Sequence, residues 1–116
     1  MARVATVRKQ DGTVVCERCV VADSFWLRGK GLLGRADLPE DEGILLRPAS
    51  SIHMLFMRFP IDAVFVDHEL RVTKVVSDLR PWRFAGARRS HAVIELAAGT
   101  CERRGVVAGD TLSLDQ

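Results

Sequence analysis

The side chains able to do chemistry in this 116-residue chain gather in two stretches, Ile52 to Asp62 and Arg80 to His91. The first holds His53, Arg58 and Asp62. An imidazole and a carboxylate within hydrogen-bond reach make a general acid/base pair, and a guanidinium beside them fits a planar anion. The second reads Arg80-Pro81-Trp82-Arg83-Phe84-Ala85-Gly86-Ala87-Arg88-Arg89-Ser90-His91. Arginines, a histidine and two aromatics at this density suit stacking on bases or clamping phosphate and carboxylate groups.

Each stretch also has a plainer reading. On an extended chain His53, Leu55, Met57 and Phe59 share one face and Met54, Phe56 and Arg58 the other. His53 then stands in an apolar row and reads first as a core or rim histidine with one satisfied hydrogen bond. The same Met and His grouping would suit Cu(I), but methionine in an apolar strand ordinarily packs. The arginine-rich segment reads equally as a solvated loop. Asp62 either satisfies backbone donors at a strand entrance or lines a pocket with His53 or Arg58. Asp67, five residues on, points to the opposite face of the same expected strand, so the two form no dyad; it is expected to accept backbone hydrogen bonds at a turn.

Cys16 and Cys19 have the C-x-x-C spacing of a redox pair or half a zinc site, with Cys101 far along the chain. A regular strand would hold the alpha carbons of Cys16 and Cys19 roughly 10 Å apart, beyond the reach of about 7 Å that a disulfide allows. No second C-x-x-C or H-x-x-x-H completes a zinc site. Ordinary thiols, no metal and no cofactor are therefore expected. Gly105 to Asp110 lacks the lysine of a phosphate loop and the G-x-G-x-x-G pattern, and no serine sits in a nucleophile elbow.

The elements that must position these residues are mostly strands. Arg3 to Val7 and Thr13 to Val21, joined through Gln10-Asp11-Gly12, predict a hairpin, and Asp23 and Ser24 can cap one short helix starting near Ser24. Ile44 to Leu46, Ile52 to Phe59, Asp62 to Asp67, Arg71 to Val76, Ala92 to Leu96 and Thr111 to Leu114 read as further strands. Arg80 to Ser90 reads as a long loop and Gly99 to Arg104 as one helical turn. Short strands at close intervals predict a mostly β chain, a single-domain β-sandwich or barrel-like fold over residues 1–116 with one short α-helix after the first hairpin.

A hydrophobic share of 47% and a charged share of 28% are those of a globular domain with its own core. No apolar run approaches the roughly 20 residues of a membrane span. The net charge is only +2, so any pull toward nucleic acid or an anionic membrane must come from a local patch. The start, Met1 to Thr6, lacks the apolar stretch of a secretory signal, and a cytoplasmic location is expected.

Five segments stand in order along the chain: Gly31-Leu32-Leu33-Gly34-Arg35, Leu38-Pro39 with Gly43-Ile44-Leu45-Leu46, Phe59-Pro60-Ile61-Asp62-Ala63-Val64-Phe65-Val66-Asp67, Glu95-Leu96-Ala97-Ala98-Gly99, and Gly105-Val106-Val107-Ala108-Gly109-Asp110. In order and spacing they resemble the domain of unknown function 192 family, from about Ala22 to Leu114. The resemblance implies a small, mostly β domain and no settled activity. Members are often exported or lipid-anchored, unlike the leaderless start read here. Many also carry an aromatic-Met-Lys-Asn-Thr stretch where this chain has His53-Met54-Leu55-Phe56-Met57, so a binding role resting on that polar cluster does not carry over. Leu70 replaces the usual glycine after Asp67, which puts the usual tight turn in doubt.

Two functions from different classes follow. The first is a non-enzymatic binding or accessory module for an anionic ligand or a protein partner, with contacts from His53, Arg58, Asp62, Arg80, Trp82 and Arg83; nucleic acid ranks behind both. The alternative is a small hydrolase-like enzyme using His53 and Asp62 as acid and base. The discriminating geometry is whether His53 and Asp62 meet in a concave site. A purely structural partner protein would instead show an exposed apolar patch or an uncovered edge strand.

Overall fold

The computed structural model describes residues 3–24, 32 and 34–115. Nine strands and one short helix are present among them: β1 Arg3–Lys9, β2 Val14–Ala22, β3 Glu42–Leu46, β4 Ser51–His53, β5 Ile61–Val66, β6 Val72–Leu79, β7 Phe84–Gly86, β8 Ala92–Ala97, α1 Thr100–Arg104 and β9 Leu112–Asp115. Seven strands form one sheet in the order β6-β5-β8-β3-β2-β1-β9, antiparallel except where β2 runs beside β3. The sheet curls until its two edges touch through the Arg71–Thr111 bridge, giving a half-barrel. The mostly β, barrel-like expectation is met. The helix expected from about Ser24 falls mostly on residues 25–31 and 33, which lie outside the described residues.

Curling creates two cores. Val7, Val15, Cys19, Leu45, Val64 and Ile94 fill the inside of the curl. Ile44, Ile61, Phe65, Val93, Met54 and Met57 pack on the opposite face, beneath a lobe made by β4 and β7. The central strands β5 and β8 are covered on both faces and buried at every position, which is why they read as nearly continuous apolar runs rather than alternations. Gly43 makes the close approach of β3 to β8 possible. A Cβ there would lie 2.9 Å from both the Glu95 carbonyl oxygen and a Leu96 methyl.

Two register shifts between β1 and β2 place extra residues on β2. They change the cysteine geometry expected of a regular strand, because Cys16 and Cys19 now share the inner face instead of alternating. Both are buried free thiols. The neighbouring Cys19 thiol lowers the pKa of Cys16, and the neighbouring Cys16, together with burial, raises that of Cys19.

Each central strand carries one acid. Asp62 of β5 is fully buried, and its carboxylate accepts three backbone N–H groups, from Asp78 at 2.9 Å, Gly99 at 3.1 Å and Cys101 at 2.9 Å. The Asp78 donor belongs to a bulge in β6, where Asp78 has φ 54° and the register slips. The other two belong to the turn that starts α1, where Gly99 has φ 90° and supplies no side-chain cap. One carboxylate thus pins the bulge and the helix start to the sheet. Burial and the nearby Asp62 charge push the Cys101 thiol up to about 12.

The β5–β6 turn survives the missing glycine. Leu70 itself adopts φ 63°, while Asp67 accepts the N–H groups of Glu69 and Arg71, each at 2.9 Å. Packing of Leu70 against the inner core offsets the left-handed conformation.

Removing the Asp62 carboxylate would leave three backbone donors unpaired, that of Cys101 buried and those of Asp78 and Gly99 part-buried. Asp62→Ala is expected to lower the unfolding free energy in urea by about 3–5 kcal/mol, and Asp62→Asn by less, because its amide oxygen can still accept. A loss under about 1 kcal/mol in the alanine variant would show that these N–H groups find other acceptors.

Candidate functional site

Sequence periodicity predicts a strand from Ile52 to Phe59, but β4 stops at His53. The chain instead makes a turn at Met54-Leu55-Phe56-Met57, closed by the Met57 N–H to the Met54 carbonyl at 3.3 Å, with Phe56 at φ 66°. His53 therefore shares no face with a row of buried residues: it is exposed, and Met54 and Met57 are buried. The expected loop Arg80 to Ser90 likewise contains β7. It opens with a matching turn, Arg80-Pro81-Trp82-Arg83, closed at 3.3 Å with Trp82 at φ 69°. Proline is favoured at the second position of such turns, whereas the left-handed third position favours glycine.

The two turns lock together. Met54 donates to the Arg83 carbonyl at 2.8 Å and accepts from the Trp82 N–H at 2.7 Å. This brings the Phe56 and Trp82 rings to a centroid distance of 5.0 Å, tilted by 60°. Both remain largely in solvent, Phe56 at 72% and Trp82 at 58% exposure, and Phe84 adds a third ring at 70%. Among the described residues, three of the five non-glycine residues with positive φ, namely Phe56, Trp82 and Arg89, lie in this lobe. Such conformations cost of order 1–3 kcal/mol each and concentrate at functional sites.

Beside the rings, Ser51, Ile52, His53, Phe84, Ala85 and Gly86 line an open groove of about 510 Å³. His53 pairs across the strands with Phe84. Its Nδ1 accepts the Leu55 N–H at 3.4 Å, which assigns the proton of the neutral ring to Nε2. Arg58 and Arg83 are exposed, without an ion pair among the described residues, and Arg80 pairs with Asp78 at 3.2 Å. At the far end His91 stacks on His68 at 3.8 Å and donates its N–H to the Val66 carbonyl, tying the lobe to β5.

The lobe thus brings together His53, Arg80, Trp82 and Arg83. Asp62 is not among them. It is enclosed in the sheet, its oxygens accept three backbone N–H groups with the Cys101 thiol beside them, and no hydrogen bond joins it to His53. The acid/base pair expected in the enzyme alternative is not assembled, because the turn at Met54 swings His53 outward while β5 carries Asp62 inward. Phe56 and Phe84 are missing from the sequence-based list. Their signal was present as aromatic residues beside basic ones, but a regular strand would have set Phe56 in a row with Met54 and Arg58 rather than in a turn against Trp82.

The profile of DUF192, described as an uncharacterized ACR family, matches residues 6–114. The chain belongs to the DUF192 family. UPF0127 proteins of two archaea are similar: that of Thermococcus sibiricus is 31% identical over 114 residues, covering 91% of this chain and 71% of the relative, and that of Pyrococcus furiosus is 34% identical over 97 residues, covering 78% and 81%. The crystal structure of a protein of unknown function from Novosphingobium aromaticivorans superposes with TM-score 0.82 at 26% identity, covering 97% of this chain and 84% of that one. A candidate transcription regulator from Sinorhizobium meliloti gives TM-score 0.86 at 24% identity, covering 97% and 95%, a likeness of fold alone.

This DUF192 chain holds a second acid that sequence reading passed over. Glu95 of β8 faces the lobe side of the sheet, between Ile44 and Ala63 of the neighbouring strands, at 6% exposure. It has no hydrogen bond or ion pair among the described residues. Burial alone raises its carboxyl to about 7. The available signal was a single carboxylate in the otherwise apolar run Ala92 to Ala97. No group of three or more metal-ligating side chains occurs among the described residues.

A raised native pKa makes the protonated carboxyl the form the fold prefers. Its stabilising effect is complete below the unfolded value of 4.5 and is lost as pH rises to about 7. Stability of the wild type relative to Glu95→Gln should therefore fall by about 3 kcal/mol across that window, measured as urea midpoints at successive pH values. Parallel curves for the two proteins would mean that Glu95 is solvated or ionised in the native state.

Proposed function

We propose that this DUF192 chain is a non-enzymatic binding or accessory module whose ligand surface is the β4–β7 lobe, and that the ligand is anionic. The observation carrying this reading is the partition of charge. Residues 43–61 and 79–94, which build the lobe and its flanks, contain Arg47, Arg58, Arg80, Arg83, Arg88 and Arg89 and no Asp or Glu. The remainder of the chain has eleven basic and fifteen acidic side chains, so a net charge of only +2 divides into +6 on these two segments and −4 on the rest. Arg80 is paired with Asp78 and Arg47 lies 3.9 Å from Asp23, which leaves Arg58, Arg83, Arg88 and Arg89 without an ion pair among the described residues. Like charges gathered on one side raise the local concentration of the opposite ion and accelerate its arrival. Guanidinium groups supply the planar donors that phosphate and carboxylate accept.

Exposed rings beside the arginines add contact area at low entropic cost. The same patch could seat a protein partner through Phe56, Trp82 and Phe84, but the uncompensated charge favours a ligand that carries anions. No helix among the described residues is long and apolar enough to cross a membrane. A cytoplasmic setting belongs to the reading, supported by three buried free thiols.

Heparin and inorganic polyphosphate are the probes. Both are expected to raise the melting temperature at low salt, less so as salt increases, and the double variant Arg83→Glu/Arg89→Glu should abolish the shift while keeping a wild-type melting temperature without ligand. Shifts of equal size in wild type and variant would place anion binding elsewhere and end this reading.

A further inference from the structure

The lobe carries more than charge. A site for a simple anion needs arginines alone, yet here the chain also holds Phe56 and Trp82 in left-handed turns that display their rings to solvent. The tilted pair leaves ring surface open on both partners, and Phe84 stands across from His53 at the edge of the groove. The groove floor is apolar, from Ile52 and Ala85. Its polar groups are the Ser51 hydroxyl and the outward Nε2 of His53, neither of which has a partner among the described residues. Its volume of about 510 Å³ falls within the roughly 300–1,000 Å³ of small-ligand clefts.

Planar ring surface, polar groups at a groove edge and uncompensated guanidinium groups together describe a complement to one kind of ligand. We propose that the lobe binds a phosphorylated planar heterocycle, with a nucleobase stacked on Trp82 and its phosphates held by the lobe arginines. This rests on the anion-binding reading above and adds the class of ligand. The heterocycle would stack on Trp82 or Phe56 because each base presents a π-face whatever its sequence. Ser51 and His53 would meet hydrogen-bonding atoms on its edge, and Arg83 and Arg88 its phosphates. An acidic peptide would use the arginines but leave the rings without planar partners, and a flat anionic bilayer would leave the groove between Ser51, His53 and Phe84 unfilled. The same chemistry occurs in free nucleotides and in single-stranded nucleic acid, and the two differ in how many rings and arginines they engage.

Fluorescence anisotropy of the full chain with a labelled single-stranded oligothymidylate of about twelve nucleotides tests the proposal, with mononucleotides, duplex of the same length, heparin and phosphatidylserine vesicles as parallel arms. Single-stranded oligonucleotide is expected to bind more tightly than duplex, weakening as salt rises. Trp82→Ala should reduce affinity ~5- to 100-fold, while Trp82→Phe keeps most of it. Heparin binding should be insensitive to both substitutions, since its sugar rings are puckered and carry no planar aromatic face to stack. Competition by mononucleotide at saturating occupancy would name the free nucleotide as the source, and its failure to compete would name the strand; either supports the proposal. Oligonucleotide binding unchanged by Trp82→Ala while heparin still requires the arginines would overturn the heterocycle and leave the anion site standing. Vesicle binding that needs Trp82 without oligonucleotide binding would replace it with a membrane surface. Absence of binding to every polyanion would remove both readings, provided the variants melt as the wild type does.

Discussion

Burying a carboxylate inside a sheet costs several kcal/mol unless its oxygens are filled, and Asp62 meets that condition with backbone alone. Three N–H groups from β6 and the start of α1 converge on it. Each of those groups would otherwise be an orphan: a bulge leaves an unpaired amide, and the first turn of a helix leaves several. The interaction therefore solves two local problems at once. It lets β6 kink at Asp78 just before the chain turns into the lobe, and it lets α1 begin beside the sheet without a capping side chain. Residues 80–91 leave the sheet directly after that kink.

Glu95 is the counterpart on the neighbouring strand. It pairs in register with Ala63, one residue from Asp62, yet faces the other core. The same residue chemistry thus has opposite consequences on the two faces. Asp62 lies where the chain doubles back and offers amides, so its charge is satisfied. Glu95 lies among apolar side chains beneath the lobe, where nothing donates to it, and the neutral acid is the form that burial favours. A protonated carboxyl on the lobe side of the sheet is a hydrogen-bond donor in an otherwise apolar wall.

The lobe itself is small, and its two three-residue strands could not stand alone. Ile52, Met54 and Met57 bury against the sheet and anchor it, while the backbone exchange between Met54 and the Trp82-Arg83 pair fixes the two turns to each other. Buried methionines on one side and exposed aromatics on the other give it a packed floor and an open surface. This separation explains why the rings can remain in solvent without loosening the fold. It also brings Arg80 and Arg83 of one segment beside His53 of another.

Strand identity in β1, β2, β3, β5, β8 and β9 was legible in the sequence because apolar runs and glycine-marked turns are local signals, and the asymmetry of charge between segments could be counted along the chain. The family was legible for the same reason, in five short motifs in register. What the chain order did not disclose depends on contacts between distant residues. Nothing local marks Phe56 for a left-handed turn, since its hydrophobic neighbours read as a continuing strand; Met54 is held there by Trp82 and Arg83, almost thirty positions away. Nor does C-x-x-C spacing reveal that bulges against β1 would bring both thiols to one face. Tertiary structure alone separated His53 from Asp62 and left Glu95 without a partner, because the burial and pairing of a polar side chain are set by what folds against it.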